Sequence, residues 1–462
     1  MNINSMKCFY TGEDPDSTPI HILFRPDYEK WKSSQAKFVQ NWLQATCFKA
    51  ELNYPLCIPD STGNLHSVLV IAEQENIIWT LGNCPHILPA GRYHIGDTAD
   101  LLDKDPCLLG WGMGAYKFTG YKKDDHKTCR LSIDCVKDRV QIEALLDAVI
   151  SVRDLVNTPA SDMSPQLLYE YIQAVTKEFE IELKDVSGIK LLEENYPLTH
   201  AVGRASIHPP SFIEWNWGNN NHPKVVLIGK GVTFDTGGLD IKSAQGMRLM
   251  KKDMGGAAHA IGIAIAVMKL GLPVQLQVMI PAAENAISGN AYRPGDVLTS
   301  RCGKTIEIED TDAEGRLILC DAVSKAAESS PDIIIDFATL TGAARVALGT
   351  EVPVFFTNDA AVAESLTTAA ANVDDPVWQL PLHKPYRYLL DSNIADISNC
   401  SRSGFGGAIT AALFLDEFVP DSVRWLHFDI MAWNTRNRAG RPKGGEAMGL
   451  RTVIKFLQQR YS

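Results

Sequence analysis

Beyond residue 165 the chain alternates short apolar runs, rich in β-branched residues, with stretches of helical periodicity, and this alternation restricts its fold more than any other feature. Chains of this kind form α/β domains, in which helices cover a mostly parallel sheet. We therefore predict a large α/β domain with a mostly parallel central sheet over residues 166–462. The strand-like runs lie at residues 225–229, 274–280, 305–308, 333–337, 352–356 and 425–430.

The first third of the chain predicts a second, smaller domain. Residues 1–135 alternate apolar runs, such as residues 77–81, with turns rich in Gly, Pro and Asp, which is typical of a small N-terminal α/β domain. Residues from about 136 to 156 have helical spacing, and Pro159 is a stop signal. We predict a linker helix and connection over residues 136–165. A length of 462 residues fits two or three domains.

The segment 309–317 places charged side chains at alternate positions. It reads E-D-T-D-A-E-G-R-L and stands between a strand-like run and an apolar helix. In an extended segment Asp312, Glu314 and Arg316 would point to one side, because strand side chains alternate with a period of two. Gly315 would then let the backbone turn into the helix. By itself, such a short motif is more often a solvated acidic loop.

A second cluster follows the strand-like run at 225–229. The loop from Lys230 to Lys242 reads K-G-V-T-F-D-T-G-G-L-D-I-K, and Gly-rich polar loops lie at the carboxyl ends of strands in α/β sheets. Lys230 and Asp235 would sit at that edge. Asp253 comes later, where an Ala-rich helix begins, and alone it fits an ordinary helix N-cap.

Together the two clusters supply four carboxylates and one amine. Carboxylate oxygens suit hard or borderline divalent cations, and two such ions roughly 3.5–4 Å apart serve aminopeptidases and phosphatases. A lysine binds metal only as the neutral amine, so a nearby dication must depress its pKa. The pattern therefore favours a divalent-metal site that draws on Lys230, Asp235, Asp253, Asp312 and Glu314.

At these residues the chain resembles the cytosol (leucyl) aminopeptidase family. The family signature N-T-D-A-E-G-R-L appears at 310–317, with Asp310 in place of Asn. The resemblance extends from about Arg153 to the C-terminal end in matching order. Further matches are K-G-x-T-F-D-x-G-G-x-x-x-K at 230–242, D-M-G-G-A at 253–257 and A-T-L-T-G-A at 338–343.

The resemblance implies a dinuclear metallopeptidase that removes the N-terminal residue of peptides. Residues matching Asp235, Asp312 and Glu314 hold one metal in the family. Those matching Lys230, Asp235, Asp253 and Glu314 hold the other, so Asp235 and Glu314 bridge. The metal pair activates a bridging water, and the free α-amine of the substrate binds on the Lys230 side.

Two further roles follow from the resemblance. Lys242 would polarise the scissile carbonyl and stabilise the gem-diolate. Arg316 would hold a bicarbonate ion that acts as general base. For Lys242, the alternative outside such a loop would be an ordinary surface lysine.

The resemblance also places four residues around the pocket for the substrate's first side chain. Met431 stands where the family commonly has a small residue, so we expect a narrower or reshaped pocket. Asp310 adds a negative charge beside the metal ligands, which would tighten metal binding or alter metal choice. The pocket residues implied are Met250, Thr339, Gly342 and Met431.

We expect two divalent ions per subunit, with Mn or Zn favoured over Mg or Co, together with bicarbonate. The resemblance suggests a homohexamer of two trimers that acts on peptides with a free N-terminal amine. Two alternatives stay open at this point. One is a dipeptidase, for example for Cys-Gly, that uses the same site, and the other is an inactive scaffold protein of the same fold.

Composition narrows the functional classes. A net charge of -11, from 44 basic and 55 acidic residues, argues against a general nucleic-acid or membrane-surface binder, and no basic stripe supports DNA binding. Apolar runs are too short for a membrane span, and residues 1–5 lack a signal-peptide core. The ten cysteines are scattered without a C-x-x-C pair, which predicts reduced thiols and a cytoplasmic protein.

Overall fold

A computed structural model describes residues 5–98, 103–122 and 128–462. The expectation for the first residues of the chain therefore falls mostly outside the described part. The chain divides into two compact units. One contains Ser151–Asn434 and Gly444–Ser462, and the other contains the described residues before Ser151 together with Thr435–Lys443.

The N-terminal unit is built around one mixed sheet. Its strand order is β1-β6-β5-β2-β4-β3, with only the β3–β4 pair antiparallel among the described strands. The strands are β1 (Phe9–Tyr10), β2 (Thr18–Phe24), β3 (Leu56–Pro59), β4 (Leu65–Ala72), β5 (Gly91–Thr98) and β6 (Cys129–Ser132). The helices are α1 (Tyr28–Ser34), α2 (Lys37–Ala45), α3 (Cys84–Ile87) and α4 (Asp105–Gly114). Helix α5 (Arg139–Asn157) begins in this unit, and its residues from Ser151 onward belong to the second unit.

A small apolar core joins helix and sheet in this unit. Val39 and Leu43 lie one turn apart on α2, so both face the same side of the helix. They share a buried cluster with Leu69 and Ile71 of β4. This packing is that of an α/β domain, as predicted. The proposed domain limits at 135 and 165 stay predictions.

The second unit contains the remaining elements. Its strands are β7 (Lys184–Ser187), β8 (Ser211–Trp217), β9 (Lys224–Gly229), β10 (Gly231–Asp235), β11 (Gln275–Asn285), β12 (Val297–Thr299), β13 (Thr305–Glu307), β14 (Ile333–Ala338), β15 (Val354–Thr357), β16 (Trp378–Gln379), β17 (Ile397–Ser398), β18 (Arg424–Asp429), β19 (Trp433–Asn434) and β20 (Gly444–Gly445). Its α-helices are α6 (Pro165–Thr176), α7 (Lys190–Glu193), α8 (Pro197–Gly203), α9 (Ala244–Met247), α10 (Gly255–Lys269), α11 (Gly315–Ala327), α12 (Gly342–Leu348), α13 (Ala360–Val373), α14 (Gly407–Asp416) and α15 (Leu450–Tyr461).

Short 3-10 helices complete the chain. They are Ser5–Cys8, Arg25–Asp27, Gln74–Trp79, Ala160–Asp162, Lys177–Phe179, Met250–Met254 and Lys384–Leu390.

The central sheet of this unit is mostly parallel, which confirms the predicted fold class. Its strand order is β16-β15-β18-β14-β9-β11-β8-β7, and β10 pairs with β11. Strands β18, β14, β9 and β11 run parallel, while β8 and β7 continue the sheet in antiparallel pairs. The run at 305–308 differs from its neighbours, because β13 belongs to a separate small sheet with β12 and β17.

Burial explains why the central strands are continuous apolar runs. Val225 and Ile228 of β9 and Ile333 and Ile335 of β14 are fully buried, as expected for parallel strands covered on both faces. Helix α10 packs tightly against their carboxyl ends. A Cβ atom at Gly256 would come within 2.1 Å of the Phe337 carbonyl oxygen, so only glycine permits this approach. Thr339, directly after β14, donates its hydroxyl to Asp253, which holds the 3-10 helix Met250–Met254 beside the end of β14.

Among the described residues, no helix is both long enough and apolar enough to cross a membrane.

Candidate active site

The predicted ligands converge around two lysine side chains. Nζ of Lys230 lies 2.7 Å from Oδ2 of Asp253 and 2.8 Å from Oε1 of Glu314. Nζ of Lys242 lies 2.8 Å from Oδ2 of Asp235 and also contacts Asp312. The cluster therefore joins four segments: the junction between β9 and β10, the end of β10 with the loop after it, the 3-10 helix before α10 and the turn before α11.

Three of the carboxylates form a compact donor set. Asp235, Asp312 and Glu314 each offer one oxygen, and these atoms lie within 4.8 Å of one another. Asp235 and Glu314 are 2% and 1% exposed, whereas Asp312 is partly exposed. Carboxylates brought this close inside a protein repel one another unless cations stand between them.

Burial and neighbouring charges raise the pKa values of three groups in this cluster. Burial, followed by the Asp235 carboxylate, raises the pKa of both Glu314 and Asp312. Burial would lower the pKa of Lys230, but the Asp253 and Glu314 carboxylates outweigh burial and raise it. The protein thus holds negative charge where a cation is needed to neutralise it.

The donor set fits divalent metal ions. One oxygen each of Asp253, Asp312 and Glu314 faces a lysine ammonium and accepts no other hydrogen bond from the described residues. Such oxygens are free to accept a metal without breaking a backbone hydrogen bond. Hard oxygen donors with one amine suit Mn²⁺, Zn²⁺ or Mg²⁺.

The turn before α11 differs from the predicted extended segment. Oδ1 of Asp310 accepts a hydrogen bond from the backbone N–H of Asp312 at 2.8 Å, which curls the chain into a side-chain-capped turn. Helix α11 starts at Gly315, directly after Glu314. Asp312 and Glu314 meet because of this turn, so the expected period-two alternation is wrong. An asparagine at 310 could accept the same hydrogen bond through its own Oδ1.

Gly315 serves a different purpose from the predicted flexible turn. A Cβ atom there would come within 2.5 Å of Cε of Lys230, and Gly315 is absent from the described residues with positive φ. Close approach of the lysine stem therefore requires glycine at this position.

Arg316 lies inside the protein with one unused donor. Its side chain is 7% exposed, and Nη1 donates a hydrogen bond to the backbone oxygen of Asn399 at 2.7 Å. Nε has no hydrogen-bond partner among the described residues. A buried donor without a partner is costly, so this nitrogen is suited to hold a small anion.

The four predicted pocket residues have different environments. Oγ1 of Thr339 donates a hydrogen bond to Oδ1 of Asp253 at 2.7 Å, and its backbone oxygen accepts one from Nζ of Lys230 at 3.2 Å. Thr339 therefore belongs to the ligand cluster itself. Met250 begins the 3-10 helix that carries Asp253, Gly342 begins α12, and Met431 follows β18. Met250 and Met431 are partly exposed and Gly342 is exposed.

Asn285 supports the site but was not predicted from the sequence. Its side-chain Nδ2 donates to Oδ1 of Asp235 at 2.8 Å and to the backbone oxygen of Thr311 at 3.1 Å. It thereby orients a ligand carboxylate and ties two loops together. A single asparagine at the end of a strand carries no motif that could have identified it.

Thr311 and Asp240 lock the two loops. The Thr311 backbone N–H donates to Oδ2 of Asp240 at 2.8 Å, and the Asp240 backbone N–H donates to Oγ1 of Thr311 at 2.8 Å. Tyr292 adds a hydrogen bond from its hydroxyl to the Thr311 backbone oxygen at 2.7 Å. The loop of Lys242 and the turn of Asp312 are therefore one hydrogen-bonded unit.

Asp429 anchors the next loop. Oδ1 accepts hydrogen bonds from the backbone N–H groups of Leu340 and Thr341, both at 3.1 Å. Oδ2 accepts one from the Thr341 hydroxyl at 2.6 Å. These bonds hold the loop that contains Thr339.

Comparison with known sequences shows similarity over nearly the whole chain. A family model described as "Cytosol aminopeptidase family, catalytic domain" matches residues 150–454, and another, "M17 aminopeptidase, N-terminal domain", matches residues 18–134. A probable cytosol aminopeptidase of Rhodococcus jostii is 36% identical over 438 residues. That alignment covers 89% of this chain and 86% of the relative.

Solved structures of similar proteins share the fold of this chain. The crystal structure of the cytosol aminopeptidase from Coxiella burnetii has a TM-score of 0.94 and 44% identity, and covers 98% of this chain and 100% of that chain. The bottromycin maturation enzyme BotP in complex with Mn has a TM-score of 0.84 and 29% identity, and covers 96% of this chain and 100% of that chain.

Proposed function

Because this chain belongs to the cytosol aminopeptidase family and is a peptide-bond hydrolase, we propose that it removes the N-terminal residue from peptides with a free α-amine at a dinuclear metal site. The observation that carries the proposal is the convergence of Asp235, Asp312 and Glu314 within 4.8 Å of one another, beside the buried Lys230. That donor set matches the chemistry of two divalent ions.

The ligands divide between two metal positions. Asp235, Asp312 and Glu314 would hold one ion, and Lys230, Asp235, Asp253 and Glu314 the other. When bound, such an ion pair lowers the pKa of water toward neutrality and polarises a carbonyl group. Lys230 would then have to bind as the neutral amine, with Asp253 and Glu314 released from the ammonium contacts described above.

Lys242 and Arg316 would supply the remaining groups. The ammonium of Lys242 would donate a hydrogen bond to the oxygen of the scissile carbonyl as negative charge develops there. The unpartnered Nε of Arg316 supports its proposed role of holding bicarbonate, which would accept a proton as general base. Met250, Thr339, Gly342 and Met431 are proposed to surround the first side chain of the substrate.

Metal identity and assembly stay proposals. Manganese is supported by the Mn complex of the structurally similar BotP, with zinc as the second choice. The homohexamer and the cytoplasmic location stay predictions, and mass measurement in solution would test the first.

A metal and substrate screen tests the proposed function. We expect chelation to abolish hydrolysis of aminoacyl p-nitroanilides, and added Mn²⁺ or Zn²⁺ to restore it. N-acetylated substrates should stay intact, because the free amine is required. Cleavage that persists after elemental analysis shows no metal would overturn the mechanism. Cleavage restricted to dipeptides such as Cys-Gly would favour the dipeptidase alternative, and a complete lack of cleavage the scaffold alternative.

Glu314→Ala tests the bridging role directly. We expect lower metal content and lower activity with the fold retained, since one carboxylate would be lost from both metal positions. Glu309→Ala is the matched control, because Glu309 lies on the same segment but pairs with Arg402 at the surface, at 2.8 Å. Full metal occupancy in Glu314→Ala would refute bridging.

A further inference from the structure

Two cationic groups, the ammonium of Lys252 and Nη1 of Arg345, have no hydrogen-bond partner among the described residues. The Lys252 side chain is 2% exposed, and its ammonium makes no hydrogen bond within the described part of the chain. Its one ion pair there is a long contact, 3.9 Å from Oδ1 of Asp253. That oxygen already accepts a hydrogen bond from Thr339, and the other oxygen of Asp253 contacts Lys230.

Arg345 is the second cation. It lies on α12, one turn after Gly342, and its Nη2 is turned back to within 3.9 Å of the position a Cβ atom would take at Gly342. Its Nη1 is buried and has no hydrogen-bond partner in the described residues. Thr339 bonds the same Asp253 oxygen that Lys252 approaches, and Gly342, against which Arg345 folds, follows Thr339 three residues later. The two cations therefore lie on either side of the segment that runs from Thr339 to Gly342.

A buried cationic group without a close anion is costly, because it loses its hydration. The carboxylates of the ligand cluster do not solve this problem. Their four negative charges would be balanced by two divalent ions, so no carboxylate of the cluster is left to neutralise Lys252 or Arg345. An anionic group that arrives with the substrate would supply the missing charge.

We propose that Lys252 and Arg345 form a subsite for a carboxylate on the first side chain of the substrate, so that the enzyme prefers peptides that begin with Glu or Asp. The inference rests on the proposed aminopeptidase function. Asp253 is a proposed ligand of the metal that receives the free α-amine, and the Lys252 ammonium lies 3.9 Å from it. A carboxylate only one or two carbons from the α-carbon can reach that position. The planar guanidinium of Arg345 can donate two parallel hydrogen bonds to such a carboxylate.

The C-terminal carboxylate of a dipeptide is a second carboxylate that could bind to Lys252 and Arg345. The two sources differ in position, since the C-terminal carboxylate lies on the far side of the scissile bond. Aminoacyl p-nitroanilides have no C-terminal carboxylate, so they report on the first side chain alone. Dipeptides and their C-terminal amides form the second arm.

The decisive measurement is the ratio of kcat/KM for Glu-p-nitroanilide to that for the equally shaped Gln-p-nitroanilide. We expect a ratio above one for the unmodified protein with metal bound, and a fall of about tenfold or more in Lys252→Met and in Arg345→Met, as for loss of a charge-assisted hydrogen bond. Lys251→Met is the matched control. Its ammonium already donates to the Asn157 backbone oxygen and stacks over Trp433, so the ratio should not change.

A binding readout separates this inference from the proposed function. Calorimetry should show that L-glutamate binds more tightly than L-glutamine, with the difference reduced in both methionine variants whose thermal unfolding stays cooperative. A Glu to Gln ratio of one or less, or a ratio that neither variant lowers, would overturn the side-chain subsite. The side-chain subsite would also be overturned if dipeptides and their C-terminal amides differed in kcat/KM while Glu-p-nitroanilide and Gln-p-nitroanilide did not. Hydrolysis of no first residue at all would defeat the proposed function, and the calorimetric difference would then decide the subsite by itself.

Discussion

The backbone oxygen of Asn399 accepts a hydrogen bond from Nη1 of Arg316 at 2.7 Å. The buried side chain of the same asparagine holds the ligand turn: Oδ1 accepts from the Glu309 backbone N–H at 2.8 Å, and Nδ2 donates to the Asp310 backbone oxygen at 2.7 Å. One residue therefore sets the position of Arg316 relative to the turn that carries Asp312.

Asn399→Ala should lower kcat more than it raises KM, because the turn would lose its side-chain anchor while the metal ligands stay present. A displacement of about 1 Å at a reacting group can cost about 100-fold in rate. Steady-state kinetics with metal analysis would measure the effect. Asn393→Ala, at an exposed asparagine of the same region, is the control. Kinetics that match those of the control would contradict the positioning role.

Lys242→Ala should lower kcat by about 10²–10³, the range for loss of one oxyanion donor. Bound metal should stay the same, since Lys242 is not a proposed ligand. Metal analysis beside single-turnover kinetics would separate the two effects. An equal loss of metal and activity would show instead that the contacts of Lys242 with Asp235 and Asp312 serve to assemble the site.

Met431→Ala should shift preference toward bulkier N-terminal residues. The flexible thioether would fill volume that a substrate side chain otherwise occupies, and a misfit of one methylene costs roughly 1–3 kcal/mol in kcat/KM. The measurement is the ratio of kcat/KM for leucine to that for alanine as first residue, in both proteins. An unchanged ratio would mean that Met431 lies away from the pocket.

The stability of the protein should depend on pH through Asp321, which lies away from the metal ligands. Its Oδ2 accepts hydrogen bonds from the backbone N–H groups of Leu198 and Thr199 at 3.0 and 2.9 Å. Burial outweighs these bonds and raises the pKa of Asp321 from 3.8 to about 7. The folded state therefore binds the proton of Asp321 more tightly than the unfolded chain does. The resulting contribution to the free energy of unfolding is fully present below about pH 4 and is lost as the pH rises through about 7.

Asp321→Asn removes the titrating group and keeps an oxygen acceptor. We expect the melting temperature of the unmodified protein, relative to that of the variant, to fall between pH 5 and pH 8. Calorimetric scans of both proteins across this range would measure the difference. If the melting temperatures of the two proteins changed in parallel with pH, Asp321 would have an ordinary pKa in the folded protein.

Much of the fold could be predicted from local sequence. The runs at 225–229 and 333–337 are apolar without alternation, which is tolerated only in strands covered on both faces, and β9 and β14 are such strands. The antiparallel strands β7 and β8 were not predicted, because strand direction at the sheet edge depends on how the connections cross, not on the residues of the strand.

The sequence by itself determined the chemical types of the predicted site: four carboxylates, two lysines and one arginine, in three short motifs at 230–242, 253–257 and 310–317. Only the tertiary structure decided how they meet. Asp310 caps a turn that replaces the expected extended segment, and Gly315 makes room for the stem of Lys230. Asn285 and Asn399 orient groups 50 and 83 residues away, so no local pattern marks them. Hydrogen bonds of this kind depend on which backbone groups the packed core leaves side by side, and that is settled only when the whole sheet has formed.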